Sequence, residues 1–198
     1  MGRSAAFQLV FNASDKEHFL SVLQNHADRQ YLAELRAALD GHSGTPAGES
    51  DGGHTPGVDK PASCFCLTFL VPAEASLASL DTGHSKLPSH VSVGCIWTFV
   101  NVGEDYFSIV ADAATSGMAA AFHESSNLQA VFRTIAREAN AQCLILIDDW
   151  NCNQFLWCRA GSAAIESHST HPVDRQCAEL ITEAQKNLAG THKHRENG

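Results

Sequence analysis

Two aspartates and a tryptophan, Asp148, Asp149 and Trp150, directly follow the apolar run CLILI at residues 143–147. A third carboxylate, Asp112, closes a similar run, YFSIVAD. Carboxylates at the ends of neighbouring strands can share a magnesium ion and so mark an enzyme. Successive strand residues point to opposite faces, however, so Asp148 and Asp149 enter one site only if the strand has already ended. No lysine, arginine or histidine stands nearby in sequence to complete the chemistry. A turn with a solvated acidic rim is therefore the stronger reading of these residues.

Other chemistries find less support. Seven cysteines lie at 64, 66, 95, 143, 152, 158 and 177, beside eleven histidines. Cys64 and Cys66 share a strand face, yet a structural zinc site pairs such ligands with a second pair at similar spacing, and that second pair is missing. The cysteines read as small buried hydrophobes, reduced and free of disulfides in a reducing compartment. No metal and no cofactor is expected. The chain has no G-x-S-x-G elbow, P-loop or G-x-G-x-x-G. Ser116, in AATSGMAAAF, stands in a small-residue segment that suits either a tight turn at a site or a loop packed under a helix. A small enzyme or ligand-sensing domain built on Asp112, Asp148 or Ser116 is the alternative reading.

Charge points elsewhere. Residues 40–158 hold thirteen Asp and Glu against four Lys and Arg, a difference of nine that accounts for the whole formal charge of −9. Such a surface repels nucleic acid and anionic lipid and suits a basic protein partner. Acidic groups also alternate with aromatic ones in VGEDYF, VADAA, FHESS and IDDWNCNQFLW. Aromatic anchors supply binding energy at protein interfaces, and a complementary field speeds encounter. The candidate partner-binding residues are thus Glu104, Asp105, Tyr106, Asp112, Glu124, Asp148, Asp149 and Trp150. Trp97 and Phe99, by contrast, read as buried strand residues.

The elements that must position these residues follow from periodicity. FQLVF at 7–11 is a strand, and Ser14 with Glu17 makes a capping box opening one long helix, or two with a break near Asp28. Residues 41–61 hold six glycines and three prolines and almost nothing apolar, which predicts a mobile loop or linker, with 42–60 dispensable for folding. SCFCLTFLVP is a strand, HVSVGCIWTFVNV and YFSIVADAA form a hairpin around Gly103, Glu104 and Asp105, and CLILI and QFLWC are two further strands. Ser126 and Gln129 cap a helix with Leu128, Val131, Phe132, Ile135, Ala136 and Ala139 on one face. A final helix from about Pro172 buries Val173, Cys177, Leu180, Ile181, Ala184 and Leu188. This order predicts an α+β fold, a mostly antiparallel sheet with helices on one face, and allows two small lobes, 1–88 and 89–198.

The apolar runs are far shorter than the ~20 residues a membrane helix needs. The start lacks a signal-peptide core, so a cytoplasmic protein with no membrane partner is expected. In general character, with VGEDYFSIVADAATSGMAAAF and IDDWNCNQFLW as its most suggestive segments, the chain resembles bacterial immunity proteins, including those that protect against nuclease effectors of type VI secretion systems. That resemblance implies tight stoichiometric blockade of a basic toxin's active-site cleft by acidic and aromatic groups. It rests on character and not on a motif, and it assigns no individual residue.

Overall fold

The computed structural model describes residues 4–27, 32–41, 64–81, 83, 89–148, 153–160 and 169–193. Strands β1 (Ala5–Asn12), β2 (Cys64–Pro72), β3 (His90–Val102), β4 (Tyr106–Ala113), β5 (Cys143–Asp148) and β6 (Gln154–Cys158) form one antiparallel sheet in the order β2-β3-β4-β1-β5-β6. The helices are α1 (Lys16–Leu23), α2 (Leu32–Leu39), α3 (Ser116–Glu124), α4 (Ser126–Glu138) and α5 (Pro172–Lys193). The α+β architecture is the one the sequence predicts. No described helix is long and apolar enough to cross a membrane.

Alternation along β1 divides the core. Phe7, Leu9 and Phe11 face the larger cluster with α1 to α4, whereas Val10 faces a smaller one with Cys177, Ile181 and Ala184 of α5. Helices therefore cover both faces, and the expectation of a single covered face holds for α1 to α4 only. The reason lies in β1 itself: it is apolar at nearly every position, as a strand buried on both sides must be. Because β1 pairs with β4 and β5, both halves of the chain enter the same sheet, and residues 88 and 89 fall just before β3. The expected loop at 41–61 lies, apart from Gly41, outside the described residues.

The larger core is aromatic. Phe7 stacks on Phe122 and Phe132 at centroid distances of 4.6 and 4.2 Å, and Phe11 on Phe107 at 4.8 Å. Removing any one of these rings would cost about 3–5 kcal/mol. Helix α4 presents Leu128, Val131, Phe132, Ile135 and Ala136 to this core, as its spacing requires. It ends where Asn140 takes φ 60°, a left-handed cap that lets the Ala141 N–H reach the Ala136 carbonyl at 2.8 Å.

Two cap assignments change. Ser125, not Ser126, caps α4 by accepting the Leu128 N–H at 3.0 Å, while Gln129 bonds the carbonyls of Phe122 and His123. The Ser14 capping box does not form: a 3-10 turn at Ala13–Asp15 precedes α1, and Glu17 pairs with Arg36 on α2 instead. Glu17 thus makes a contact 19 residues away in sequence, and no local cap bond forms at the start of α1.

Candidate functional site: an open aromatic and acidic face

Register decides which side chains meet. The β3–β4 hairpin sets Val102 across from Phe107 and, five residues along, Trp97 across from Asp112. Asp112 in turn lies opposite Ala6 of β1, and Cys66 of β2 lies opposite Trp97. Cys66, Trp97, Asp112 and Ala6 thus form one transverse row on the face that α5 shares. The next row holds Phe99, Val110 and Gln8. Directly opposed side chains on a sheet have Cβ atoms about 4.5–5.5 Å apart, close enough to act as one surface.

Helix α5 packs on β4, β5 and β6. Among the described residues no helix covers the β2–β3 side of the same face: Trp97 is 45% exposed and Leu70, farther along β2, 37% exposed. Phe99, Val110 and Asp112 are half-buried. The expectation that Trp97 and Phe99 belong to the core is corrected for both: Trp97 is exposed, and Phe99, half-buried on the same face, joins neither core cluster. Val91 and Val93, in the same alternating set as Trp97, do face the core, but β3 carries an extra residue where the β2–β3 ladder shifts register between Leu67 and Phe69. Past that bulge Ile96, Thr98 and Val100 face inward and Trp97 faces outward.

The sequence-derived candidates do not converge. Glu104 and Asp105 sit in the β3–β4 turn, at the end of the sheet marked by Asn12, while Asp112 and Asp148 sit at the end marked by Ala5 and Ala6. Glu104 is exposed, Asp105 half-buried, and Tyr106 0% exposed. Tyr106 is therefore a core residue under α5, shielded from solvent. Glu124, exposed, ends α3. Asp148 pairs with Ala5 and Asp112 with Ala6. Since Ala5 and Ala6 are consecutive, these two carboxylates project from opposite faces, and the shared magnesium site does not form. Asp149 and Trp150 lie outside the described residues. Ser116 is the exposed first residue of α3, whose cap is Thr115, accepting the Met118 N–H at 3.2 Å.

A site residue that periodicity missed is Asp174, in the first turn of α5 and 0% exposed. Its carboxylate accepts the N–H groups of Glu104, Asp105 and Tyr106 at 3.0, 3.2 and 3.0 Å, and the Ser169 hydroxyl at 2.7 Å. Burial works to raise its pKa, but the Ser169 bond and the three backbone bonds together outweigh burial and hold it below the ordinary value. The acidic turn is thus fixed by its backbone, which aims the Glu104 side chain outward. The signal was faint: a lone aspartate two residues after Pro172 reads as a helix-start charge.

Among the described residues no group of three or more His, Cys, Asp or Glu is placed to hold a metal. Comparisons with family models, curated proteins and solved structures gave no match.

Proposed function

We propose that the protein binds a basic protein partner through the open side of the sheet, with Trp97 as aromatic anchor and Asp112 as the charge beside it. The observation that carries this reading is the exposure of Trp97 in direct register with a carboxylate. An indole face beside a carboxylate suits an arginine or lysine side chain, which gains from the ring and the charge together. The formal charge of −9 supports a basic partner by adding long-range attraction. Glu104, held outward on its pinned turn, contributes to that field from a distance.

The same reading makes the protein a cytoplasmic immunity protein that blocks a cognate toxin, a nuclease-type effector in keeping with the resemblance above. Nuclease toxins carry basic clefts because their substrate is a polyanion. Co-expression with the protein encoded beside it tests this. Rescue of growth by the wild type, and loss of rescue with Trp97→Thr, is the expected outcome. A neighbouring protein that is acidic, or that neither harms growth nor binds, sinks the toxin reading.

A further inference from the structure

We propose that Cys143 and Cys158 form an oxidation site, a cross-strand thiol pair that closes to a disulfide when it meets a small-molecule disulfide oxidant. The two residues face each other in the β5–β6 register. The Arg159 N–H donates to the Gln142 carbonyl at 3.1 Å, a bond that flanks the 143–158 position on the ladder and so makes 143 and 158 a non-hydrogen-bonded pair. Opposed Cα atoms in such pairs lie about 4.5 Å apart, inside the span of about 4.4–6.8 Å that a disulfide accepts. The ladder shifts register between Leu144 and Ile145, just past the next pair, Leu144–Trp157, and this irregularity lets β6 adjust locally. Both thiols are free and lie against the smaller core, together with Cys177 of α5.

Accessibility is divided between them. Cys143 is 0% exposed, whereas Cys158 is half-buried, its Sγ within 3.8 Å of the Arg159 carbonyl oxygen. Cys158 is therefore the thiol an oxidant reaches. It loses its proton and attacks one sulfur of the oxidant, breaking the S–S bond and releasing a thiolate that takes up a proton. Cys143 then loses its proton and attacks the Cys158 sulfur of the mixed disulfide, releasing the second oxidant half as a thiol. Two protein thiols are oxidised and one small disulfide is reduced to two thiols. Burial raises the pKa of Cys143 and of Cys158, so both steps run slowly at neutral pH and faster in base. Closure would tie the base of the β5–β6 hairpin, and it stands independently of the proposed partner.

The test is equilibration of the full chain with oxidised and reduced glutathione, blocking of remaining thiols, and peptide mass mapping. The expected result is a Cys143–Cys158 linkage, lost on dithiothreitol treatment and formed several-fold faster at about pH 8.5 than at about pH 7. Cys143→Ala, checked for folding by circular dichroism, should stop at a glutathione adduct on Cys158, which shows that Cys158 reacts first. Recovery of both residues as blocked free thiols overturns the proposal, as does linkage of either one to Cys152 or Cys177 in place of its cross-strand partner.

Discussion

Gly103 lies against the carboxylate of Asp174 so closely that a methyl group at 103 would overlap Asp174 Oδ1. The same oxygen accepts the N–H groups of Asp105 and Tyr106, so the carboxylate cannot retreat without losing bonds. Gly103→Ala should therefore destabilise the fold by about 1–3 kcal/mol, the usual cost of overpacking. The urea midpoint measures it. An unchanged midpoint would show that the turn and α5 separate easily.

Asp174 also predicts a pH dependence. Its folded pKa lies below the value of 3.8 taken for the free group, so at intermediate pH the unfolded chain binds the extra proton. Stability from this group is present in full well above 3.8 and is lost as pH falls through the lower folded value. Asp174→Asn should flatten the acid limb of the stability profile and cost about 1–3 kcal/mol at neutral pH, because the amide turns donors toward buried donors. Parallel acid limbs for the two proteins would contradict the assignment.

Ser125 joins two elements. Its hydroxyl donates to Glu74 Oε2 at 2.8 Å and accepts the Leu128 N–H, and Glu74 also accepts the Asn127 N–H at 3.0 Å. Ser125→Ala removes the cap and should cost about 1 kcal/mol, read as a shift of the denaturation midpoint. A neutral result would mean that Glu74 alone caps α4.

Trp97, being 45% exposed, should be dispensable for folding. Trp97→Thr keeps a strand-favouring residue and should change stability by less than about 1.5 kcal/mol. The fluorescence lost in this variant should be the red-shifted, acrylamide-quenchable part of the emission. Loss of a blue-shifted, protected component would place the indole in a core.

Element type was legible wherever one residue set was clearly apolar. Helix α4 shows the expected face, and the hairpin around Gly103 forms as its turn residues suggest. Face assignment failed where a bulge reverses the alternation, as on β3 between Val93 and Ile96. The hairpin register held the missing signal: pairing Val102 with Phe107 puts Trp97 opposite Asp112, and a carboxylate in the row argues against a core face. The failed metal pair has a similar cause, since Asp112 and Asp148 reach opposite faces only through their shared neighbour β1. Asp174 was hidden because it acts across 68–70 residues of sequence, beyond any local pattern.

The proposed function makes Trp97 the anchor for a basic partner on the open sheet face. Isothermal titration of wild type and Trp97→Thr against the purified protein encoded beside it, rendered catalytically inert, tests this most directly. The claim predicts a one-to-one complex with a basic protein, weakened on the order of 30-fold or more by Trp97→Thr, which corresponds to an aromatic anchor worth about 2 kcal/mol. Equal affinities for the folded variant and the wild type would contradict it, and so would the absence of binding by the wild type.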